Sequence, residues 1–304
     1  MSAAISVAGL SRQYRGQLAL DNVSFDIEPG SITGLLGRNG AGKTTLLRIL
    51  AGAEFASSGQ VSILGANPVK SDVLLHRIIF VREDQRYPGY GLPGGFKVWH
   101  ALRAASWFYP DWDTALADSL LADFQLPRNR AVKGLSRGMR SALGIVIGLA
   151  AHAEVTLFDE PYAGLDPVAR QLFYDRLLAS FAEHPRTILL STHLIDEAAG
   201  LLERVVVIDA GRVVLDAGAD EIRGAATSVS GPAIAVAEFT AGRTVWNRRR
   251  IGSQESAVVA TALDDSDRAR AAALRLHLEP LTMQQVVVQA STRIQTHEAE
   301  GTRA

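Results

Sequence analysis

The octapeptide GRNGAGKT at residues 37–44 constrains the fold of this chain more than any other segment. It follows the apolar run Ile32–Leu36, which is typical of a buried strand, and it precedes a helical pattern. Its three glycines allow backbone conformations and close approaches that a Cβ would prevent, so successive N–H groups can point at an anion. This succession of strand, loop and helix predicts a phosphate-binding loop in an α/β domain.

Two side chains at the end of the loop complete the predicted anion site. Lys43 can reach the β- and γ-phosphates of a nucleotide, and the Thr44 hydroxyl can ligate Mg²⁺. The helix that begins there directs the positive end of its dipole toward the phosphates. We therefore expect nucleotide contacts from these residues: Gly37, Arg38, Asn39, Gly40, Ala41, Gly42, Lys43, Thr44 and Thr45.

A second apolar run, Val155–Phe158, ends in two carboxylates, Asp159 and Glu160. Nucleotides bind at the carboxyl ends of parallel strands, so we expect both carboxylates beside the bound phosphates. Asp159 is predicted to hold Mg²⁺ or its water, and Glu160 to orient and deprotonate the water that attacks the γ-phosphate. Together with Lys43 these residues predict an ATPase that uses ATP and Mg²⁺.

Alternating strand and helix patterns predict one α/β domain over residues 1–224, with a mostly parallel sheet. Two early runs, Ile5–Leu10 and Asn22–Ile27, predict an antiparallel β edge. Strand signals stop at about residues 87–134, which predicts a helical insert subdomain.

A segment rich in Gly, Ala and Ser, Gly224–Pro232, predicts a boundary. Beyond it, alternating apolar runs at Ile234–Phe239 and Ala257–Leu263 indicate a small α/β accessory domain over residues 225–291. We expect residues 292–304 to be a polar tail.

Composition excludes several classes of function. The formal net charge of −1 provides no global basic field, so we expect no nucleic-acid partner. The chain has no cysteine, which excludes disulfides, thiolate zinc sites and cysteine nucleophiles. The longest apolar stretch, Ala142–Ala151, is far shorter than the ~20 residues of a membrane-spanning helix, and no signal peptide is evident. We expect a cytoplasmic chain, with any membrane spans supplied by a partner.

Residues 135–139 read LSRGM and resemble LSGGQ, the signature of the nucleotide-binding subunits of ABC transporters. Arg137 stands where that family has glycine, and Met139 where it has glutamine. Ser136 and Gly138, the residues nearest phosphate in the family, are kept. The resemblance therefore implies that both contact nucleotide.

Further positions follow the family's pattern. Asp166 lies in a segment that resembles the D-loop, and His193 matches the switch histidine that contacts γ-phosphate. Tyr14 stands where the family stacks an aromatic ring on adenine; a packed tyrosine of an edge strand is the alternative. For the Q-loop residue near Mg²⁺, the resemblance leaves Gln85, which we favour, and Glu83.

These motifs occur in the family's order over about residues 2–223. The resemblance implies a P-loop NTPase of ABC type that powers translocation by a separate transmembrane permease, and that binds the inner face of the cell membrane through it. The methionine in the signature and the C-terminal appendage are more similar to export-type bacterial systems. The alternative is a soluble ABC-type ATPase that acts on ribosomes or DNA.

The pattern over residues 136–151 predicts one helix of about 23 Å, which would place Ser136 far from Asp159. We therefore expect the signature to complete a site on a second ATPase subunit, identical or different, in a head-to-tail sandwich. Such a dimer would close on ATP and reopen after hydrolysis, because both halves share the γ-phosphate.

Two weaker patterns concern surfaces. Trp99, Trp107 and Trp112 fall in the helical insert, where we favour a packed subdomain core over a docking groove for the membrane partner. For the basic run Arg248–Arg250 we favour a solvated strand face over a site for nucleic acid or lipid headgroups.

Overall fold

The computed structural model describes three ranges of the chain: residues 2–82, 95–261 and 263–289. Two compact units emerge from the contacts: Met1–His193 with Val206–Val213, and Leu194–Val205 with Val214–Ala304. The second unit thus also takes in residues that precede the boundary we predict near residue 224.

The elements alternate between strand and helix through most of the chain. The strands are β1 (Ile5–Tyr14), β2 (Gln17–Ile27), β3 (Ile32–Leu36), β4 (Ser58–Ile63), β5 (Ile78–Arg82), β6 (Val155–Asp159), β7 (Thr187–Thr192), β8 (Arg204–Asp209), β9 (Arg212–Gly218), β10 (Thr227–Pro232), β11 (Val245–Ile251), β12 (Gln254–Val259) and β13 (His277–Pro280). The helices are α1 (Lys43–Leu50), α2 (Val98–Phe108), α3 (Thr114–Asp123), α4 (Arg137–Ala150), α5 (Pro167–Glu183), α6 (Ile195–Ala198), α7 (Ala219–Arg223), α8 (Ala233–Thr240) and α9 (Asp265–Ala273).

The two antiparallel runs predicted near the N-terminus lie within β1 and β2. With β4, which the sequence analysis did not identify, they form a separate three-stranded sheet in the order β2-β1-β4, rather than an edge of the parallel sheet. Ile5, Val7 and Leu10 lie on its buried face, with an irregularity of the register between Val7 and Leu10, and share a core with Leu46 and Leu47 of α1. This sheet therefore covers the helix that follows the glycine-rich loop.

The larger sheet has the strand order β5-β6-β7-β3-β8-β9, and its first four strands run parallel. Every residue of β3, β6 and β7 is buried, as expected for parallel strands covered on both faces. The register places Asp159 opposite Ser191 and Leu36 opposite Thr192. The loops that follow β3, β6 and β7 consequently meet at one edge of the sheet.

Helix α4 lies close on β5 and β6 because two of its residues are glycines. A Cβ on Gly148 would lie 2.7 Å from Cγ2 of Val81 and 2.9 Å from Cε1 of Phe158, and one on Gly144 would lie 3.0 Å from Cγ1 of Val81. Larger residues at these positions would push the helix off the sheet. The predicted helix over residues 136–151 is confirmed to within one residue at each end.

The described part of the helical insert begins at residue 95 and contains α2 and α3. Its buried residues are aliphatic: Val98, Ala101, Leu102, Ala105, Ala117, Leu120 and Leu121. Trp107 is 74% exposed and lies under the guanidinium of Arg103, 4.8 Å from it, so the aromatic core that we predict is wrong for this residue. Trp107 lies on the face of α2 opposite the stripe formed by Val98, Ala101, Leu102 and Ala105, which is buried.

The second unit contains an antiparallel sheet in the order β11-β12-β10-β13. Val236 and Phe239 of α8 are buried against it, whereas Ile234 is 86% exposed. This three-residue spacing explains why Ile234–Phe239 is helical and not the alternating run that we predict. Arg248–Arg250 lie exposed on β11, an edge strand of this sheet.

Candidate active site

The glycine-rich loop 37–44 owes its path to two glycines that no other residue can replace. Gly37 has φ 151°, and a Cβ there would lie 2.2 Å from the carbonyl oxygen of Ile208. Gly42, the N-cap of α1, has φ 109°, and its Cβ would lie 2.6 Å from the carbonyl oxygen of Ala19. Both left-handed backbone angles and both close approaches therefore demand glycine.

Lys43 is the first residue of α1, and its side chain is only 5% exposed. Its Nζ donates hydrogen bonds to the carbonyl oxygens of Gly37 (2.8 Å) and Arg38 (3.2 Å), so the loop encloses the ammonium group. The same nitrogen lies 3.5 Å from Oε1 of Glu160. A buried cation thus stands between the loop and the carboxylate that follows β6.

Asp159 accepts two hydrogen bonds from hydroxyls. Thr44 donates to its Oδ2 (2.8 Å), and Ser191 donates to its Oδ1 (3.1 Å). Burial raises the pKa of Asp159 above its ordinary value, although the two hydroxyls and Lys43 act in the opposite direction. Ser191 was not among the predicted site residues; its signal is a polar residue at the end of an apolar strand, opposite a carboxylate.

Glu160 and His193 are brought together. Oε2 of Glu160 lies 3.0 Å from Nδ1 of His193, while Oε1 faces Lys43. Glu160 has φ 46°, an uncommon angle for a residue with a Cβ, which turns its side chain out of the direction of β6. All three residues predicted as catalytic therefore lie in one array, in which Glu160 is hydrogen-bonded to His193 and ion-paired with Lys43.

Tyr162, which was not among the predicted site residues, supports this array through hydrogen bonds of its hydroxyl. Its side chain is 2% exposed, and its hydroxyl makes a 2.6 Å hydrogen bond with Oγ1 of Thr192. It also accepts a 3.3 Å hydrogen bond from the backbone N–H of His193. The tyrosine thereby fixes the backbone from which the histidine projects.

The signature segment 135–139 caps a helix. The Oγ of Ser136 accepts a hydrogen bond from the backbone N–H of Met139 (3.2 Å), as an N-cap residue does. A Cβ on Gly138 would lie 2.5 Å from the carbonyl oxygen of Gly164, so this glycine permits close contact with the loop after β6. Ser136 and Gly138 thus lie at the amino end of a well-formed helix.

The amino-terminal half of α4 also contacts the loop that follows β6. Ser141 of the helix donates to the carbonyl oxygen of Ala163 (2.6 Å), and Gly138 lies close to Gly164. The expected separation of Ser136 from Asp159 stays a prediction. Asp166, at the end of the same loop, caps α5 by accepting from the backbone N–H of Ala169 (2.8 Å).

Comparison with known proteins identifies the family. Residues 20–163 match the family model described as ABC transporter. The Nod factor export ATP-binding protein I of Rhizobium johnstonii is 34% identical to this chain over 217 residues, which cover 69% of the chain and 68% of that relative. The chain belongs to the ATP-binding proteins of ABC transporters. It is accordingly an ABC-type ATPase subunit, and the fold predicted from its P-loop is confirmed.

Two solved structures share this ABC fold. The ATP binding subunit of an ABC transporter matches with a TM-score of 0.62 at 27% identity, covering 72% of this chain and 92% of that one. The cbiO1 protein of Clostridium perfringens, part of the ABC transporter complex cbiONQ, matches with a TM-score of 0.58 at 25% identity, covering 73% and 91%. These matches support a transporter subunit over an ATPase acting on ribosomes or DNA.

Tyr14, which the ABC pattern predicts to stack on adenine, contacts Glu54 and Arg12. Its hydroxyl donates to Glu54, and the guanidinium of Arg12 lies 4.5 Å from the centre of the Tyr14 ring. Tyr14 is 36% exposed. Gln85 and its alternative Glu83 lie outside the described residues.

Among the helices of the described ranges, none has the length and apolar character needed to cross a membrane.

Proposed function

We propose that this ABC ATPase uses Lys43, Asp159, Glu160 and His193 to bind and hydrolyse ATP with Mg²⁺, and that hydrolysis drives transport by a separate membrane subunit. The observation that carries the proposal is the convergence of these four side chains at one edge of the parallel sheet. Nucleotides bind at this edge in α/β proteins of this topology.

The oxygens around Asp159 suit Mg²⁺. Its carboxylate and the Thr44 hydroxyl lie 2.8 Å apart, and both are the hard oxygen ligands that this ion prefers. These two residues would hold the ion, with Gln85, or alternatively Glu83, as a further ligand. The bound ion would neutralise charge on the β- and γ-phosphates.

The remaining side chains have distinct tasks in hydrolysis. Lys43 and the amino end of α1, with the loop residues 37–45, would bind the phosphates. Glu160 would orient the attacking water and accept its proton. With Nδ1 of His193 donating to Glu160, its Nε2 can donate to the γ-phosphate only when the imidazole is cationic.

A second ATPase subunit, identical or different, would complete the site. In this arrangement the amino end of α4 in one subunit, with Ser136 and Gly138, faces the nucleotide held by the loop of the other. A helix amino terminus offers N–H donors and a positive dipole end to an anion. Asp166 would lie at the same interface, and Tyr14 would contact the adenine.

We also propose the membrane partner. The relative from Rhizobium is named for export, and cbiO1 is part of a transporter complex; both support a permease encoded on another chain. The subunit would then bind the cytoplasmic face of the membrane through that permease. Export is the direction that the named relative favours.

Two measurements test the proposal. The purified chain should bind ATP with an affinity that rises when Mg²⁺ is added, and should hydrolyse it. Purification from detergent-solubilised membranes of its source cells should recover a multispanning membrane protein in stoichiometric amount. Cosedimentation with ribosomes, without such a membrane protein, would instead establish the soluble alternative.

A further inference from the structure

A second cleft lies at the opposite end of the parallel sheet from the nucleotide site. Its volume is about 640 Å³, and it is lined where β6 and β7 begin, by residues that include Trp112, His152, His184 and Arg186. Within residues 2–82 and 95–261, the loops of the ATPase site lie away from this cleft, because they follow the carboxyl ends of the same strands.

Three side chains with metal-binding chemistry meet beside this cleft. Asp113, His152 and His184 each offer one ligand atom, and these atoms all lie within 4.8 Å of one another. The two imidazole rings are 4.2 Å apart between centres and inclined by 37°. Two imidazole nitrogens and one carboxylate oxygen form the donor set of zinc sites that keep an open coordination position.

The backbone holds these residues in place from three element ends. Asp113 is the N-cap of α3, and its N–H donates to the carbonyl oxygen of Ala150 (2.8 Å). His184 is the C-cap of α5, and Arg186 donates to its carbonyl oxygen (3.0 Å). His152 lies in the turn between α4 and β6 at φ 44°. The site is therefore assembled by the fold before any ligand arrives.

His152 also carries a polar atom without a partner. Its Nε2 is buried, and within the described part of the chain it has no hydrogen-bond partner. Buried polar groups are normally paired, and an unpaired one costs free energy. A ligand that accepts the lone pair of this nitrogen would remove that cost.

We propose that Asp113, His152 and His184 bind one divalent transition metal ion of the Zn²⁺ class. Imidazole ligands favour such an ion over Mg²⁺, which prefers oxygen, so this site and the ATPase site would select different cations. The charge of Arg186 opposes a cation here, and the carboxylates of Asp113 and Asp111 offset it. Bound metal would tie α3 of the helical insert to α5 and to the turn before β6.

Metal titration of the untagged, nucleotide-free, full-length protein tests the proposal. Co²⁺ should bind with one equivalent and give visible absorption bands, and Zn²⁺ should displace it. Zn²⁺ should also raise the melting temperature, because a ligand that binds the folded state stabilises it. Featureless titration, or no thermal shift at saturating Zn²⁺, would overturn the proposal.

The variants are chosen to keep the fold. Asp113→Asn retains a good helix cap, His152→Asn suits a left-handed backbone angle, and His184→Asn changes an exposed residue. Each should weaken Co²⁺ binding tenfold or more. The matched control is His277→Asn, an exposed histidine of β13, which should leave the affinity unchanged. Loss of the Co²⁺ bands in His193→Asn, with retention in His152→Asn, would place the metal at the ATPase site and overturn the proposal.

Discussion

Two ion pairs lie at opposite ends of the same strand, β6, and they differ in almost every respect. Lys43 and Glu160, at the carboxyl end, have side chains 5% and 16% exposed and are separated by 3.5 Å. Arg77 and Glu154, at the amino end, are 37% and 51% exposed and are joined by two hydrogen bonds of 2.5 and 2.8 Å. The pair with the shorter contacts is therefore the more exposed one.

At the two ends of β6, short hydrogen bonds within an ion pair therefore do not indicate a large contribution to stability or activity. An exposed ion pair is screened and contributes little to stability, even when its hydrogen bonds are short. A buried cation and carboxylate interact strongly, and removing one partner leaves the other uncompensated. We expect substitutions at the carboxyl end of β6 to change chemistry strongly, and substitutions at its amino end to change stability slightly.

The largest effect should follow Glu160→Gln. The amide keeps the size of the side chain but accepts no proton from water, so turnover should fall by about 10²- to 10⁴-fold. ATP affinity should persist, and the ATP-bound variant should accumulate as a dimer, measured by size-exclusion chromatography with light scattering. The control is Glu28→Gln on the exposed surface. Unchanged turnover in Glu160→Gln would remove this residue from the role of base.

Lys43→Ala should have the next largest effect. It removes the ammonium group that the loop encloses, and the loss of one such charged donor should lower turnover by about 10²- to 10³-fold. Unlike Glu160→Gln, it should also weaken ATP binding, which fluorescence titration with a labelled nucleotide would measure. Lys70→Ala, at an exposed lysine, is the control. Equal ATP affinity in Lys43→Ala and Lys70→Ala would contradict the assignment of Lys43.

The residues that meet at the carboxyl end of β6 could also be predicted from the sequence more completely than those at its amino end. The loop 37–44 and the carboxylates Asp159 and Glu160 each follow a short apolar run, and that local pattern is enough to place them on one sheet edge. His193 required the family's order of motifs as well. Local pattern and topology thus account for most of the site.

Other features depend on contacts between distant segments and could not be predicted. Tyr162 and Ser191 support the site through hydrogen bonds to Thr192 and Asp159, which lie 30 and 32 residues away in the chain, and no local pattern identifies these partners. Asp113, His152 and His184 come from three element ends and share no motif. The strand β4 was missed because its apolar run is short and pairs with β1, which lies far earlier in the chain.

Asp159→Asn should change function and stability in opposite directions. Burial raises the pKa of Asp159, so the carboxyl group favours folding below its unfolded pKa and this contribution is lost as pH rises through the folded pKa. At pH 7 the ionised group is therefore a cost, and the neutral amide should raise the melting temperature of the nucleotide-free protein by a few degrees. Mg²⁺-dependent ATP hydrolysis should fall, although less than in Lys43→Ala.

Differential scanning fluorimetry across pH separates the causes of this effect. The difference between Asp159→Asn and the unsubstituted protein should shrink in acid, where Asp159 is protonated in both folded and unfolded chains. The hydroxyls of Thr44 and Ser191 can rotate to accept from the amide, so their hydrogen bonds need not be lost. A lower melting temperature of the variant at pH 7 would contradict this account.

The smallest effect should follow Arg77→Gln at the amino end of β6. The pair with Glu154 is exposed, so its loss should lower the free energy of unfolding by less than about 1 kcal/mol. The hydrogen bond from Arg77 lowers the pKa of Glu154, so the pair stabilises the protein above the ordinary pKa of that carboxyl group, and this contribution is lost as pH falls through the lowered value. Urea denaturation should therefore find a difference at pH 7 that disappears in acid. ATP turnover should not change, and a turnover loss similar to that of Lys43→Ala would abolish the distinction between the two ends of β6.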